Sequence, residues 1–572
     1  MDMLVGNPAL SATEYWVSAE RSRFASQHGF AGAIMKTQDI PGACRVLELE
    51  MGAVGLVMSS LRTRYNSLMS VNRLPSEILA LVFHFVRSHC SPWNIAHHRR
   101  LRDDFRIENL SSATAWVQVT HVCRQWRATA LDDPGLWSEI ILGSKWAGEF
   151  LRRSRSAPIL LDYTWPSAYM QRRRNIQDIG RDIARHVSHL QELRVGGLSQ
   201  DLTWIVPSLR DPAPLLEKLV LLPPSDGYFA LTLPPRAFNG FAPCLRYLSL
   251  GQCDSSVLRV SLAHDIPLHL EGAHDDEYPL YRQELGELLS TLQGMPALEV
   301  LKLGRLLSPP APGTTPESLC GPLVTLPNLH TIYLHDETRN CGLLLKHLAV
   351  PATVSHEVLC TSDRHLEFLL PWLSTKFNTS STFIRSLSIV DADGQRVRFV
   401  AQDRSDIACD ISTIDSPANE EEKPLLDLLV AYYTADSSHS GVEQFFNALP
   451  LQHLDAMDVF WDGSRGINWL LLLGGNQHLQ HVALRFFPDP GLDEMLRFMN
   501  RSLEGQPHPL FPSLETLTLS EVNFEDTWDD EGTKLLDWFE HLGPLANLFI
   551  TASRINEEIV EELRDVTRDV DW

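Results

Sequence analysis

Apolar residues recur along the C-terminal three-quarters of the chain in one short pattern, with apolar side chains at positions one, four and six. Clear copies are "LQELRV" at 190–195, "LEKLVL" at 216–221, "LRYLSL" at 245–250, "LEVLKL" at 298–303, "LHTIYL" at 329–334, "IRSLSI" at 384–389, "LQHVAL" at 479–484 and "LETLTL" at 514–519. The alternation that ends each copy predicts a short strand with one buried face.

The spacing of these copies is typical of leucine-rich repeats, whose strands stack in parallel along a curved solenoid. We therefore predict that residues 150–572 form one divergent leucine-rich-repeat solenoid. Its strands should be adjacent in one parallel sheet, beginning near Leu193, Leu219, Leu248, Leu301 and Ile332. Residues 390–440 fit the pattern least well and are interpreted as a hairpin or strand insertion followed by an acidic loop.

The residues between the apolar positions of each copy should face outward and are candidates for binding a target protein. They are Tyr247, Lys302, Tyr333, His335, His481 and Arg485. Tyrosine and arginine are common in protein interfaces, but these side chains are also ordinary surface residues.

The N-terminal region shows two different patterns. Residues 1–42 have weak periodicity, and we expect this segment to be partly ordered at best, ending at Pro41-Gly42. Residues 43–70 are predicted to be an amphipathic helix, because apolar residues recur there at alternating spacings of four and three. This seam consists of Leu47, Met51, Val54, Met58, Leu61, Tyr65 and Leu68. Two alternatives remain: the seam packs on its own chain, which its shortness favours, or it self-associates as a coiled coil.

Residues 71–145 predict a small helical module. Pro75 suits the first turn of a helix, where its missing N–H costs nothing. One apolar face follows, made by Ile78, Leu79, Val82, Phe83 and Val86. A polar, basic insertion at 88–112 precedes a second helix, and the turn at 132–135 ends that helix before Leu136 and Trp137. The core is small for a free-standing domain, so the two tryptophans, Trp126 and Trp137, either meet a partner or fill this core.

The sequences "LPSEILALVFHFV" and "VTHVCRQWRATALDDPGLWSEI" together resemble the F-box. The flanking "RTRYNSLMSVNRLPSEIL" and "FLRRSRSAPILLDY" resemble basidiomycete-type fungal F-box proteins. The resemblance implies that the module binds a Skp-type adaptor, which links it to the cullin of an SCF-type ubiquitin ligase. It places the adaptor contacts on Leu74, Pro75, Ile78, Leu79, Phe83, Val122, Cys123, Trp126, Leu136 and Trp137. Some of these residues must instead form the core of the module.

Charge narrows the choice of partners. The net charge is −23, whereas residues 72–175 carry 15 basic and 9 acidic side chains, so the acidity is concentrated in the repeats. An acidic body argues against nucleic acid, because phosphates would be repelled. It would tolerate a basic partner surface, although solubility alone also explains it.

Other classes of function are not supported by any motif. No apolar run approaches the ~18 residues of a membrane span, and the nine cysteines form no C-x-x-C pair, which favours a reducing compartment, cytoplasmic or nuclear. Phosphate-binding, dinucleotide-binding and nucleophile-elbow motifs are missing, and the histidines near 89–98 match no zinc signature. We therefore expect an α/β chain without catalytic residues, metal or cofactor: an F-box-like module and a curved leucine-rich-repeat solenoid with a parallel sheet. Its expected function is substrate recognition for a ubiquitin ligase; the alternatives are a leucine-rich-repeat scaffold or an enzyme with an unrecognised site.

Overall fold

The computed structural model describes residues 8–25, 40–90, 114–163, 176–196, 204–222, 237–251, 284–308, 315, 321–379, 383–391, 396–404, 423–431, 444–461, 476–486, 511–524, 535–536, 539 and 545–572. The chain divides into two compact units, Met1–Leu136 and Trp137–Trp572. The first unit is helical, and the second is built on a large sheet.

The first unit consists of helices in its described residues. The α-helices are α1 (Pro8–Ala25), α2 (Ile40–Leu68), α3 (Ser76–Cys90) and α4 (Arg124–Asp132), with 3-10 turns at Ser70–Arg73 and Ala115–His121. Inside this unit α3 packs against both α4 and the 3-10 turn Ala115–His121. Most of the predicted insertion at 88–112 lies outside the described residues, which end at Cys90 and resume at Thr114.

Helices α1 and α2 differ from the expectation for residues 1–42. The first 42 residues are expected to be partly ordered at best, but Pro8–Ala25 form an 18-residue helix of five turns. Its apolar side chains, including the exposed Tyr15 and Trp16, do not gather on one face, so periodicity gave no signal. Pro41 does not close the preceding segment; it lies in the first turn of α2, where a proline removes no helical hydrogen bond.

The second unit contains one sheet of sixteen described strands and a two-stranded sheet, β7–β9. The strands are β1 (Glu139–Ile141), β2 (Ile159–Tyr163), β3 (Leu190–Gly196), β4 (Lys218–Leu222), β5 (Tyr247–Gly251), β6 (Val300–Gly304), β7 (Val324–Thr325), β8 (Thr331–Asp336), β9 (Leu348–Ala349), β10 (Ser355–Cys360), β11 (Ser386–Asp391), β12 (Arg396–Gln402), β13 (Leu426–Ala431), β14 (Ala456–Trp461), β15 (His481–Phe486), β16 (Thr516–Ser520), β17 (Asn547–Thr551) and β18 (Val570–Asp571). Between them lie the helices α5 (Ala147–Ser154), α6 (Ile176–His186), α7 (Leu285–Gln293), α8 (Thr338–Lys346), α9 (Leu370–Thr379) and α10 (Glu557–Val566).

The predicted parallel arrangement of the repeats is confirmed. Strands β3, β4, β5, β6 and β8 are consecutive neighbours and parallel. Their leucine positions align across the sheet in one row: Leu193, Leu219, Leu248, Leu301 and Ile332. Every residue of this row is fully buried. We call the face that carries the row the ladder face, and the other side the opposite face.

The least regular region, 390–440, forms a strand insertion in the sheet. The strand order there is β10-β13-β12-β11-β14, and β12 runs antiparallel to both of its neighbours. Strands β11 and β12 pair antiparallel as a hairpin, and this hairpin is itself inserted in the sheet. The acidic stretch 405–422 lies outside the described residues.

The sheet begins earlier than the sequence indicated. We expected the F-box-like module to extend to 145 and the solenoid to begin at 150, but β1 (Glu139–Ile141) already pairs in parallel with β2. The boundary between the two compact units falls between Leu136 and Trp137. Apolar periodicity alone could not show this boundary, because Leu136, Trp137 and Ile140 are equally apolar and all three are buried.

Candidate interaction surfaces

A small polar network fixes helix α4 in the first unit. Asn72 Oδ1 accepts a hydrogen bond from Trp126 Nε1 at 2.7 Å, and Asn72 Nδ2 donates to the carbonyl of Asn66 at 2.7 Å. Cys123 caps α4, because its Sγ accepts from the backbone N–H of Trp126. The Trp126 ring also packs on Phe83 of α3, with ring centroids 5.1 Å apart. Trp126 therefore acts first as a brace between α3, α4 and the 3-10 turn before α3.

The turn after α4 is held by side chains from α3. His84 Nε2 lies 2.8 Å from Asp133 Oδ2, and Asp133 Oδ1 accepts from the backbone N–H of Gly135. Arg87 donates to the carbonyl of Gly135. These contacts give the "DDPG" turn a fixed position against one side of α3, so the other sides of α3 are left for other contacts.

Four of the ten residues expected to contact the adaptor are not on the surface. Leu79, Phe83, Leu136 and Trp137 are fully buried. Leu79 and Phe83 lie four residues apart on the inward side of α3, where Phe83 meets Trp126. Their side chains cannot touch a partner unless the module rearranges, so the expectation that Leu79 and Phe83 contact the adaptor is wrong for this structure.

Trp137 belongs to the second unit rather than to an adaptor surface. Its ring packs edge-on against Phe150 of α5, with centroids 5.1 Å apart. The guanidinium of Arg153 lies 4.2 Å from the centroid of the same ring, in a cation–π contact. The two tryptophans of the "HVCRQWRATALDDPGLW" stretch therefore serve different units, and Trp137 is part of a core.

The other six expected residues remain at least partly accessible. Pro75, Ile78 and Val122 are exposed, while Leu74, Cys123 and Trp126 are half-buried. Of these, Ile78 and Val122 are large apolar side chains that face outward.

Sequence reasoning missed the most exposed part of the apolar surface on α3. Leu81 is 55% exposed and Phe85 68% exposed. With Ile78, Val82 and Val86 they make an outward stripe along α3, which we call the α3 stripe. The signal was present, since Leu81 and Phe85 are four residues apart and so share one side of a helix. The outward stripe could not be told apart from the inward side in the sequence, because α3 is apolar around most of its circumference.

On the sheet, the expected target-binding residues separate into two groups. Tyr333 and His335 are buried, so they are not part of an accessible surface. On the opposite face of β11–β14, Val390, Val400, Leu429 and Phe460 form an apolar cluster, with Leu359 of β10 packed against it. The central strands are thus buried on both faces, unlike the one-sided strands that the repeat pattern predicted.

The remaining expected target-binding residues are half-buried. Arg485 is engaged within the chain, since its Nη2 lies 2.6 Å from Asp458 Oδ2. Burial of Asp458 raises the pKa of its carboxyl, and the Arg485 charge opposes that shift. Tyr247 and Lys302 lie together with Lys218: the two ammonium groups are 4.8 Å (Lys218) and 5.9 Å (Lys302) from the Tyr247 ring centroid. His481 is half-buried on β15.

Two further observations apply to the described residues only. Within those ranges, no three His, Cys, Asp or Glu side chains are grouped so that they could hold a metal ion. In the same part of the chain, none of the helices combines the length and apolar character needed to cross a bilayer.

Comparison with known proteins supports the resemblance of the first unit. The family model for F-box-like domains matches residues 71–142. Among solved structures, a leucine-rich-repeat protein of Leptospira interrogans is similar at 12% identity and a TM-score of 0.22, with 78% of this chain and 98% of that chain covered. No curated protein matches the chain. The finer likeness to basidiomycete-type fungal proteins stays a prediction.

Proposed function

We propose that this chain is a substrate-recognition subunit of an SCF-type ubiquitin ligase. In this proposal the F-box-like module binds a Skp-type adaptor, which connects it to a cullin, and the sheet unit holds a target protein. The chain itself would break or form no bond. Its contribution would be proximity, because holding a target beside a ubiquitin-loaded enzyme turns an encounter between free molecules into a local reaction.

The α3 stripe is the observation that carries this proposal. A helix that exposes Ile78, Leu81 and Phe85 to water within a module of F-box-like sequence has the apolar core that a protein interface needs. Apolar patches on monomeric proteins commonly mark a binding site. Pro75 at the start of α3 and Val122 just before α4 would extend the adaptor surface. The buried Leu79 and Phe83 would support it from inside.

The target surface is proposed on the accessible part of the opposite face. Tyr247 is an aromatic side chain with two lysines, Lys218 and Lys302, directed at its ring. Aromatic residues beside cations are frequent energetic centres of protein interfaces. His481 would belong to a more distant part of the same face, while the ion pair of Arg485 with Asp458 limits its availability.

The test is titration of purified Skp-type adaptor against the full chain and two matched variants. Phe85→Ala removes an exposed ring from the α3 stripe, and Phe241→Ala removes one that is 52% exposed in the sheet unit. Truncating an interface anchor costs at least ~2 kcal/mol, so Phe85→Ala should weaken binding about thirtyfold. Phe241→Ala should bind as the wild type does. Both side chains are exposed, so circular dichroism should show unchanged folding.

Two results would reject the proposal. One is a folded wild-type chain that does not bind the adaptor at micromolar concentration. The other is a chain that binds the adaptor but does not assemble with the cullin in a reconstituted cullin–RING ligase, which would favour the scaffold alternative. Wild-type affinity in Phe85→Ala would place the contact away from the α3 stripe.

A further inference from the structure

Helix α2 carries an apolar seam that nothing in the described chain covers. Its members, Leu47, Met51, Val54, Met58, Leu61, Tyr65 and Leu68, are between 39% and 74% exposed. Cys44, one step earlier in the same spacing, is exposed as well. The expectation that this seam packs on its own chain is therefore wrong for the described residues. An exposed apolar row of this length is unfavourable in water unless something covers it.

The seam does not face the described part of the F-box-like module. The contact of α2 with the F-box-like module lies on another side of the helix, where Arg124 Nη2 donates to Ser59 Oγ at 2.8 Å. The carbonyl of Asn66, on that same side, accepts from Asn72. Ser59 and Asn66 are seven residues apart, which is two turns, so one line along α2 meets the module and the seam remains free to meet something else.

We infer that the occupant of this seam is the α2 helix of a second copy of the chain, lying antiparallel. Eight positions from Cys44 to Leu68 follow the four-three spacing over more than three heptads, which is the spacing of a two-helix coiled coil. In an antiparallel pair centred on Leu56, the layers join Leu47 with Tyr65, Met51 with Leu61 and Val54 with Met58 of the second copy. Every layer then contains apolar side chains.

Charge chooses the antiparallel orientation. The acidic residues beside the seam, Glu48 and Glu50, lie in the first half of this stretch, and the basic residues, Arg62 and Arg64, lie in the second half. An antiparallel pair brings Glu48 beside Arg62 of the second copy, and Glu50 beside Arg64. In a parallel pair the heptad places none of these four beside an opposite charge, because their partners would be alanine, glycine, valine and methionine.

The centre of the pair would also be favourable sterically. Gly52 and Gly55 have no atoms within 4 Å of the position that a Cβ would take. These glycines weaken an isolated helix, and a neighbouring helix would offset that weakness through packing. Arg23 donates from both Nε and Nη2 to Oε1 of Glu50. The second oxygen of that carboxylate is the acceptor assigned to Arg64 of the second copy.

The first experiment is sedimentation equilibrium of the full chain over micromolar concentrations. The wild type should be a dimer. Val54→Lys, in the middle of the seam, should make it a monomer, since it would bury a charge in the layer. The matched control is Leu56→Lys, which introduces the same charge at a position that is 71% exposed but outside the seam, and the dimer should persist. Both positions are exposed in the single chain, so circular dichroism of each variant checks that the fold is kept.

The second experiment tests orientation by exchanging charges. Glu48→Arg and Arg62→Glu should each raise the dissociation constant about tenfold, because each replaces two attractions by two repulsions. The double variant should return to the wild-type value. In addition, Leu68→Cys should form an intermolecular disulfide with Cys44 when diamide is added as oxidant.

Clear results would overturn the inference. These are a monomeric wild type, equal effects of Val54→Lys and Leu56→Lys, or a double charge variant that stays weakened. Preferential cross-linking of Cys44 to Cys44 would show a parallel pair. None of these readings depends on adaptor binding, so this inference and the proposed function can fail separately.

Discussion

The indole Nε1 of Trp126 donates a 2.7 Å hydrogen bond to the side-chain carbonyl of Asn72, which lies 54 residues earlier in the chain. The bond joins the 3-10 turn before α3 to helix α4. Together with the packing of Trp126 on Phe83, this polar contact fixes where the two parts of the module meet. Trp126 therefore has a structural role within the module, whether or not it also contacts a partner.

Asn72→Ala should therefore loosen the module. The indole N–H, in a half-buried position, would lose its acceptor, and a hydrogen bond of this kind contributes about 0.5–1.5 kcal/mol, with a further penalty if the donor stays dry. Hydrogen exchange of peptides from α3 and α4 should become faster. Asn378→Ala, at an exposed position of α9, serves as the control and should leave exchange unchanged. Unchanged protection of α4 in Asn72→Ala would contradict this role.

The sheet contains an ion pair that should behave differently from those on the surface. Arg398 and Asp427 are joined by two hydrogen bonds, Nε to Oδ1 at 2.8 Å and Nη2 to Oδ2 at 2.6 Å, and both side chains are buried. Arg398→Met leaves a buried carboxylate without its partner and should destabilise the sheet unit by about 3–5 kcal/mol. The double variant Arg398→Met with Asp427→Leu should recover most of this loss.

The control for that series is the exposed pair Arg564–Glu561 on α10. Arg564→Ala should change stability by less than about 1 kcal/mol, because exposed pairs are screened by solvent. Urea denaturation, monitored by fluorescence, measures all of these variants. If Arg398→Met is as stable as the wild type, then water or a local movement compensates for the unpaired carboxylate of Asp427.

Acid should destabilise the sheet unit through His356. Burial lowers the pKa of this imidazole to about 3, and the nearby Lys376 charge adds to the shift. Its ring packs on Trp372 at 5.0 Å, and among the described residues neither ring nitrogen has a hydrogen-bond partner. Below the ordinary pKa of 6.5 the unfolded chain binds a proton that the folded chain does not. Stability should therefore fall as the pH drops from 6.5 toward 3, by at most about 1.4 kcal/mol per pH unit from this group.

The measurement is the free energy of unfolding of the wild type and His356→Leu between pH 7 and pH 5. The wild type should lose stability more steeply with falling pH. His356→Leu should have a shallower dependence because it has no imidazole to protonate. Parallel curves for the two proteins would show that His356 is not a source of acid sensitivity.

Two helical glycines should respond in opposite ways to alanine. A Cβ on Gly342 of α8 would lie 2.8 Å from the backbone N of Leu369 and closer still to the carbonyl of Phe368, so Gly342→Ala must push two backbone segments apart. Overpacking of this kind costs about 1–3 kcal/mol or more. Gly286 of α7 has open space at the same position, and Gly286→Ala should be neutral or stabilising by up to ~1 kcal/mol. Thermal unfolding distinguishes the two, and equal melting temperatures would contradict the close approach.

The repeat pattern predicts which residues of the ladder face are buried, because each copy places its apolar residues in the same order. The same position of each copy is apolar, as at Leu193, Leu219 and Leu248, and such a local pattern can be read directly from the sequence. The opposite face could not be predicted in this way. Tyr333 and His335 occupy outward positions of their repeat, yet both are buried, and the local alternation of residues does not report what covers that face.

The candidate interaction surface was predicted only in part for a related reason. The sequence shows that α3 is helical and apolar, but Leu79, Leu81, Phe83 and Phe85 cover several sides, so it does not show which side is inward. Trp126 fixes that choice by packing on Phe83. Trp137 was misplaced because its neighbours, Phe150 and Arg153, come after the predicted end of the module.

The exchanged order of strands in the insertion has a consequence for how the chain is synthesised. Strands emerge from a ribosome in sequence order, and in β3–β8 each new strand of the large sheet can add to the one just completed. Strand β10 cannot gain its next neighbour in this way, because that neighbour is β13, and β11 and β12 emerge first. At roughly 5–20 residues per second the edge of β10 stays unpaired on this side for several seconds. During that interval the nascent chain presents an open strand edge, which is the feature that invites mispairing or a chaperone.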